Sequence, residues 1–254
     1  MITSLDNARV KRLKLLLGKS RERRQSGLYV VEGLRLCREV PEELIEEIYI
    51  SQGFEIPKDM LLTLKRKGYE TLSSDVFMKV ADTVTPQGIL FVVRMKQLPV
   101  NERAVPLILI LEDIQDPGNM GTILRTAEGA GVTCVYCSQG CVDLFSPKVV
   151  RATMGSMYRV PVRTYEDAAG LAVKLKGQGV KLYATYLEGS VDYQAPSYKE
   201  ASAFFIGNEG NGLRPETAAL ADERIRIPMN GQLESLNASV ATALVIYEAF
   251  NQRR

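Results

Sequence analysis

The sequence predicts a two-domain α/β protein, and three observations support this fold class. The chain has 254 residues, which suffice for one or two domains at roughly 150 residues each. Apolar stretches of strand length alternate with amphipathic stretches of helix length, as is typical of α/β folds. The alternation is interrupted by a polar segment with two prolines at 96–106, which we interpret as a linker between domains at 1–95 and 107–254.

The first domain is predicted to open on an amphipathic basic helix from Asn7 to about Arg24, because Val10, Leu13 and Leu16 share one stripe at helical spacing. Strands are predicted at 28–31, 45–50 and 89–94, and helices at 33–39, at 57–68 and from residue 74. This alternation predicts a compact α/β unit.

The second domain begins with five consecutive apolar residues at 107–111, a pattern that indicates a central parallel strand covered on both faces. Ser146 and Pro147 mark a helix start, as N-cap and first helical residue. Further strands are predicted at 132–137, 181–186, 203–206 and 224–227, and helices at 119–131, 146–154, from 164, at 215–220 and at 237–251. The result is a doubly wound sheet, whose ligands bind beyond the carboxyl ends of its strands.

The composition excludes several kinds of chemistry and of location. The chain has no histidine, so every mechanism that needs an imidazole base or an imidazole metal ligand is excluded. No apolar run approaches the 18 or so residues of a membrane span, and the N-terminus lacks the apolar segment of a secretory signal. We therefore expect a cytoplasmic protein with no membrane partner.

Positive charge is concentrated in the first 24 residues. They carry eight basic side chains and two carboxylates, a net charge of +6, whereas the other 230 residues sum to −4. Such a segment attracts phosphates, although a solvated helix face has the same pattern. If the segment binds RNA, the expected contacts are Arg9, Lys11, Arg12, Arg23 and Arg24.

Three of the four cysteines, Cys134, Cys137 and Cys141, follow a C-x2-C-x3-C spacing. Similar spacings occur in zinc and iron–sulfur sites. Without histidine, the one further thiolate that the sequence offers is Cys37, about a hundred residues away. We therefore predict buried, reduced thiols on a strand and the loop after it, and no metal.

Polar, glycine-bearing loops follow three predicted strands of the second domain. In the first loop, residues 116–118 form a turn, Asn119 can cap the next helix, and Arg125 lies early in that helix. An arginine there opposes the helix dipole and favours an anionic partner such as a phosphate. The alternative is a capped helix whose arginine pairs with Glu112 or Asp113.

The second loop holds glycines in a G-x-x-G-x-G order at 207–212, which differs from the G-x-G-x-x-G of dinucleotide sites and disfavours a dehydrogenase. Glu209 in this loop is either a surface carboxylate or a charge aimed at a cation such as a sulfonium. In the third loop Ser235 or Asn237 caps the terminal helix. Capping does not explain why three such loops lie at strand ends of one domain.

The three loops read NMGTILRTA at 119–127, IGNEGNGL at 206–213 and IPMNGQLESLNASVATALVIYE at 227–248. In order, spacing and content they resemble the three motifs of the SpoU/TrmH-type RNA ribose 2′-O-methyltransferases of the SPOUT class. The N-terminal part is similar to the L30e-like substrate-binding domain of many members. The resemblance implies an L30e-like α/β/α domain, then a SPOUT α/β domain with a parallel sheet and a C-terminal trefoil knot.

The resemblance also implies the cofactor S-adenosyl-L-methionine (AdoMet), a homodimer and a set of site residues. By motif position, the cofactor-binding residues are Gly207, Ile227 and Leu236, and the catalytic ones are Asn119, Arg125, Glu209, Ser235 and Asn237. The family's motif arginine is proposed to accept the hydroxyl proton, but arginine has a pKa above about 12 and ordinarily stays protonated. In a second interpretation, Arg125 orients the hydroxyl and binds the neighbouring phosphate. A phosphate oxygen or a water molecule then accepts the hydroxyl proton.

We expect the substrate to be structured RNA. Ribosomal RNA is favoured over transfer RNA because the extra N-terminal domain resembles that of rRNA-directed relatives. The alternative from another functional class is a non-catalytic RNA-binding protein on the same fold.

Overall fold

Helices and strands alternate along the chain in the computed structural model, which describes residues 1–102, 104–231 and 235–254. In chain order the helices are α1 (Ala8–Gly18), α2 (Ser20–Ser26), α3 (Leu34–Glu39), α4 (Leu61–Lys67), α5 (Ser74–Val80), α6 (Pro117–Gly129), α7 (Pro147–Thr153), α8 (Ala168–Gly177), α9 (Pro215–Ala218) and α10 (Ala238–Gln252). The strands are β1 (Leu28–Glu32), β2 (Ile45–Ser51), β3 (Glu70–Leu72), β4 (Ile89–Arg94), β5 (Leu107–Leu111), β6 (Cys134–Ser138), β7 (Val162–Tyr165), β8 (Lys181–Thr185), β9 (Val191–Asp192), β10 (Ser202–Ile206) and β11 (Glu223–Arg226).

One predicted helix start is wrong. Thr164 lies in β7, a strand that the sequence pattern does not predict, and the helix begins three residues after that strand. Its N-cap is Asp167, whose Oδ1 accepts a hydrogen bond of 2.9 Å from the Ala169 amide. The carboxylate satisfies one of the free N–H groups of the first turn, which is why the helix starts there.

The single basic helix expected at the N-terminus is two helices, α1 and α2, because the backbone at Lys19 is extended. Arg23 stabilises the break: its Nη1 donates to the carbonyls of Leu16 (2.6 Å) and Leu17 (3.1 Å) at the end of α1. Its Nε and Nη2 donate to Asp143 Oδ2 at 2.9 and 2.6 Å, and only 4% of Arg23 is exposed. This position corrects the expectation that Arg23 contacts RNA.

The described residues form two compact units. The N-terminal unit comprises Met1–Lys96 and Asp143–Tyr158, and the C-terminal unit comprises Gln97–Val142 and Arg159–Arg254. Residues 143–158 were expected in the second domain but pack with the N-terminal unit. The reason is apolar burial, since Val150 on α7 lies in one buried cluster with Val31 and Phe91 of the N-terminal sheet.

The N-terminal unit is an α/β/α sandwich around a sheet of order β1-β4-β2-β3. β4 is antiparallel to both neighbours, and β2 and β3 are parallel. One face of the sheet packs against α1 and α5 through residues such as Leu13 and Phe77. The other packs against α3, α4 and α7, through Leu36, Leu64 and Val150. Covered faces explain why β1 and β4 are apolar on consecutive positions.

The C-terminal unit contains a parallel sheet of order β7-β6-β5-β10-β8-β11-β9. From β5 the chain builds outward to β6 and β7, and then returns to the other side of β5. The order therefore reverses between β5 and β10, where such sheets bind ligands. Leu111 and Ile206 pair at the ends of these two strands, so the loops that follow leave the sheet side by side.

The predicted α/β class and parallel sheet are confirmed, whereas the knot stays a prediction. The segment that joins β11 to α10 includes residues 232–234, which lie outside the described residues together with that part of the third motif. Within the described parts of the chain, no helix combines the length and the apolar character needed to cross a membrane.

Candidate active site

The loop after β5 presents the side chain of Asn119 rather than using it as a helix cap. The N-cap of α6 is Asp116, whose Oδ1 accepts a hydrogen bond of 2.7 Å from the Asn119 amide. Pro117 occupies the first turn, where its missing N–H has no consequence. Asn119 therefore lies within the first turn, and its side-chain amide is available for other contacts.

Asn119 connects the other two motif loops. Its Nδ2 donates to Glu209 Oε1 at 3.0 Å, and its Oδ1 accepts from Asn237 Nδ2 at 2.9 Å. Asn119 is 9% exposed, so both bonds are partly shielded from water on its side, which strengthens them. We call Asn119, Glu209 and Asn237 the polar triad. Three segments that are far apart in the chain meet in it, as the motif resemblance implies.

Glu209 is held by backbone amides as well as by Asn119. Oε2 accepts from the Gln115 amide at 3.3 Å, and Oε1 accepts from the Asp116 amide at 3.2 Å. Burial alone would raise the pKa of Glu209, but the hydrogen bonds from Asn119 and the loop amides outweigh it and lower the pKa below its ordinary value. The carboxylate is therefore ionised and fixed in position, unlike a mobile surface group.

Asn237 is the cap of α10, which decides between the two predicted candidates. Its Oδ1 accepts from the amides of Ser239 (2.9 Å) and Val240 (3.3 Å) and from the Ser239 hydroxyl (2.6 Å). Its Nδ2 is left for Asn119. Ser235 is exposed and lines a cavity beside the triad.

This cavity has a volume of about 490 Å³, within the range of small-molecule and cofactor sites. The three predicted cofactor residues, Gly207, Ile227 and Leu236, all line it, and so do Glu209 and Ser235. The structure therefore brings the second and third motifs together around one cavity in the C-terminal unit.

One wall of the cavity was missed by sequence reasoning. Thr185 at the end of β8 and the three residues after it, Tyr186, Leu187 and Glu188, form most of this wall. Tyr193 and Met229 complete it. The strand itself was predicted, and the signal that would have identified this wall is its place beside β10. That place follows from the sheet order, which the strand pattern does not reveal.

Gly207 is required by a close approach of two backbone segments. A Cβ at this position would lie 2.1 Å from the carbonyl carbon of Gly212 and 2.2 Å from the Leu213 nitrogen. Asn208 and Gly212 exchange two backbone hydrogen bonds of 3.0 Å, which hold the turn closed. Glycine at this position therefore allows the two backbone segments of the loop to pack against each other in the cavity wall.

Arg125 is not part of the polar triad. It is the ninth of the thirteen residues of α6, about 9 Å along the axis from Asn119, so its expected position early in the helix is wrong. The side chain is exposed and does not line the cavity. The alternative pairing is not seen either, because buried Glu112 accepts from Arg214 Nε and Nη2 at 3.0 and 2.8 Å.

The basic residues predicted for RNA binding differ in their environments. Arg9, Lys11 and Arg12 are exposed and pair with Glu70, Asp6 and Glu47, respectively. Such surface pairs contribute little to stability, so phosphates can replace the carboxylates. Arg24 is exposed, and within the described residues it has no ion pair. Arg23 is buried, as described above.

The cysteines are free thiols, as predicted. Cys134 and Cys137 are buried in β6, and Cys141 is half-buried in the loop after it. A hydrogen bond from Cys137, together with others from the loop, lowers the pKa of Cys141 to about 7 although burial opposes this shift. No cluster of three or more potential metal ligands was found in the described ranges, and Cys37 belongs to the N-terminal unit.

Two known protein families match different parts of this chain. Residues 106–247 match the SpoU rRNA Methylase family. The chain belongs to this family. In addition, residues 7–90 match the MRM3-like substrate binding domain, so the substrate-binding match lies ahead of the methylase match in the chain of this SpoU-family protein.

Relatives of this SpoU-family chain include enzymes named for two kinds of RNA. The 23S rRNA (guanosine(2553)-2′-O)-methyltransferase RlmP of Bacillus subtilis is 34% identical over 97% of both chains. The tRNA (guanosine(18)-2′-O)-methyltransferase of Escherichia coli is 36% identical over 60% of this chain and 66% of its own length.

Solved structures similar to the SpoU-family chain include two with bound AdoMet. The SpoU methyltransferase AviRb from Streptomyces viridochromogenes, in complex with AdoMet, has a TM-score of 0.85 and 26% identity over 97% of this chain and 99% of its own. The AdoMet-bound rRNA methyltransferase from Sinorhizobium meliloti has a TM-score of 0.84 and 28% identity over 98% and 97%. Both likenesses extend over the two units.

Proposed function

We propose that this chain transfers a methyl group from AdoMet to a ribose 2′-hydroxyl of RNA. The observation that carries the proposal is the polar triad, in which Asn119 holds both Glu209 and Asn237 beside the cavity. Ribosomal RNA is favoured over transfer RNA because the rRNA enzyme RlmP matches the chain along almost its whole length. The tRNA enzyme matches only 60% of the chain.

The cavity residues fit AdoMet. When bound, AdoMet supplies an electrophilic methyl group attached to a positively charged sulfonium. Gly207 lets the loop backbone close on itself in the cavity wall, and Ile227 and Leu236 line the same cavity with apolar side chains. The ionised carboxylate of Glu209 lies in the same wall, where its negative charge favours a cationic ligand.

Methyl transfer to a hydroxyl depends on alignment and on the fate of one proton. Asn119 and Asn237 fix the geometry beside the cavity, because each makes several hydrogen bonds that hold its amide in place. Arg125 is exposed, and its guanidinium orients the hydroxyl and binds the neighbouring phosphate. A phosphate oxygen or water then accepts the hydroxyl proton.

The ribose assignment is tested by alkaline digestion of the product. The protein is incubated with AdoMet labelled in the methyl group and with ribosomal RNA from cells that lack this protein. Transfer RNA from the same cells serves as the second substrate. A 2′-O-methyl group blocks alkaline cleavage at its linkage, so we expect label in alkali-stable dinucleotides from the ribosomal RNA. Label confined to mononucleotides would contradict ribose methylation. If the protein binds RNA but neither transfers the methyl group nor binds S-adenosylhomocysteine, the result would favour the non-catalytic alternative.

We propose that the RNA also contacts the N-terminal unit, through exposed cations. Arg9, Lys11, Arg12 and Arg24 remain in this surface, whereas Arg23 is omitted because its guanidinium is buried against Asp143. Contacts with phosphates displace counterions, so RNA affinity should fall as salt concentration rises. Affinity that does not change with salt would contradict this surface.

We propose a homodimer that uses the outer face of α10. Val240, Leu244 and Tyr247 share this face at helical spacing and are 47%, 38% and 41% exposed. Leu244→Asp is expected to convert a dimer into a monomer in light scattering, because it places a charge in the apolar contact. Val173→Asp, at a 73% exposed position on α8, is the matched control and should leave the mass unchanged. A wild-type protein that is monomeric would refute the proposal.

Three further expectations complete the proposal. A trefoil knot forms the cofactor cavity, which a crystal structure of the protein with bound S-adenosylhomocysteine would test. Turnover needs no metal and should survive excess chelator. The proposed ribosomal RNA substrate supports the expected cytoplasmic location of the protein. Fractionation of cells would check this location.

A further inference from the structure

Asp113 has an unusual backbone conformation two residues after β5. Its φ is +54°, and Met154 is the other non-glycine residue with a positive φ in the described part of the chain. This left-handed conformation is disfavoured for residues with a Cβ, although aspartate tolerates it better than most. It persists in folded proteins where the surroundings hold it in place.

Ser138 holds both the backbone and the side chain of Asp113. The Asp113 amide donates to Ser138 Oγ at 2.9 Å, and the Ser138 hydroxyl donates to Asp113 Oδ1 at 2.6 Å. Ser138 is only 8% exposed, at the end of β6. One hydroxyl on a rigid strand therefore fixes the left-handed turn and the direction of the carboxylate.

Two more loops contact Asp113. A Cβ on Gly140 would lie 2.1 Å from Asp113 Oδ1, so the carboxylate occupies space that only glycine leaves open. The Asp113 carbonyl accepts a hydrogen bond of 2.7 Å from Asn208 Nδ2, next to Glu209 in the chain. We call Asp113, Ser138, Gly140 and Asn208 the Asp113 anchor.

We propose that Asp113 is a positioning residue for methyl transfer. The anchored turn aims the amides of Gln115 and Asp116 at the Glu209 carboxylate, at 3.3 and 3.2 Å. Glu209 in turn holds Asn119 at 3.0 Å. Asp113 thus acts through Glu209 and Asn119, without lining the cavity itself. This inference rests on the proposed function of the triad.

Three substitutions at Asp113 separate its conformation from its carboxylate. Asp113→Asn keeps a side chain that tolerates positive φ and an oxygen for Ser138, so kcat should stay within about threefold of wild type. Asp113→Ala loses both features, and we expect kcat to fall roughly 10- to 100-fold, as when reacting groups are misplaced by about 1 Å. Asp113→Gly keeps the turn without the carboxylate and should lie between them. The KM for AdoMet should change less than kcat in all three, because Gly207, Ile227 and Leu236 keep their places in the cavity wall.

A second-site substitution tests the contact itself. Gly140→Ala forces the Asp113 carboxylate to move and should lower kcat as much as Asp113→Ala does, because its Cβ would overlap Oδ1. Asp113→Gly removes that carboxylate, so the double variant Asp113→Gly/Gly140→Ala should recover the kcat of Asp113→Gly alone. All variants are assayed where circular dichroism shows them fully folded, which separates positioning from stability.

The outcomes distinguish this inference from the proposed function. No turnover by the wild-type protein on any RNA arm overturns both. Wild-type turnover together with an unimpaired Asp113→Ala variant overturns the role of Asp113 alone. The same conclusion follows if the double variant is no better than Gly140→Ala, or if the variants lose only thermal stability while their kcat stays unchanged.

Discussion

Arg125→Ala is expected to lower kcat by about 10² to 10³-fold, the range typical for loss of one positioned hydrogen-bond donor. The fold should be unaffected, because Arg125 is exposed and makes no hydrogen bond or ion pair with other described residues. Its removal should therefore change the free energy of unfolding by about 0.5 kcal/mol or less. Turnover with labelled AdoMet and calorimetry with S-adenosylhomocysteine together show whether only catalysis is lost.

Two further variants define what Arg125 contributes. Lys174→Ala removes another exposed positive charge of the same unit, on α8, and should leave turnover near wild type. Arg125→Lys keeps the charge but loses the planar guanidinium, so turnover should remain well below wild type if Arg125 makes a bidentate contact. Wild-type turnover by Arg125→Ala would remove this residue from the mechanism.

Gly207→Ala is expected to weaken S-adenosylhomocysteine binding strongly and to lower turnover with it. Its Cβ would lie 2.1 Å from the carbonyl carbon of Gly212 and 2.2 Å from the Leu213 nitrogen, and backbone atoms cannot move aside as a flexible side chain can. Overpacking of this kind costs about 1–3 kcal/mol, and more where the surroundings are rigid. A loss of about 3 kcal/mol in binding corresponds to roughly a 100-fold rise in Kd, which calorimetry measures directly.

Gly210→Ala is the matched control in the same loop. Its Cβ would lie 3.5 Å from Asn208 Oδ1, an ordinary contact, and its φ is not positive. Binding and turnover should therefore stay within about threefold of wild type, as for a surface substitution. Equal losses in Gly207→Ala and Gly210→Ala would show that the close backbone approach is not the cause.

Local sequence patterns predicted the central strands well and the helix starts less well. The bounds of β4 and β5 agree with the prediction, because a run of five consecutive apolar residues in each leaves little choice. β7 was missed because only one of its four residues is buried and because it is held by pairing with β6, which lies about 25 residues earlier in the chain. The break between α1 and α2 was also missed, since Arg23 and Asp143 are 120 residues apart.

In the candidate site, too, some residues were predicted from the sequence and others were not. Motif resemblance identified Gly207, Ile227 and Leu236, and all three line one cavity. It did not identify the wall after β8, whose residues have no distinctive pattern of their own. The residue pattern placed Arg125 early in α6 because it took Asn119 as the helix cap, whereas the N-cap is Asp116 and Arg125 is the ninth helical residue.

The sequence alone established the α/β class, the absence of any imidazole chemistry, and the three motifs that mark the SpoU family. These properties depend on residue types and on spacing along the chain. Only the tertiary structure decided which side chains meet. Asn119 and Asn237 are 118 residues apart and form a hydrogen bond of 2.9 Å. Arg23, which the sequence predicts to contact RNA, is buried and forms an ion pair with Asp143. Parallel strands place the carboxyl ends of distant segments at one edge, so contacts there depend on strand order, and strand order is a property of the folded sheet.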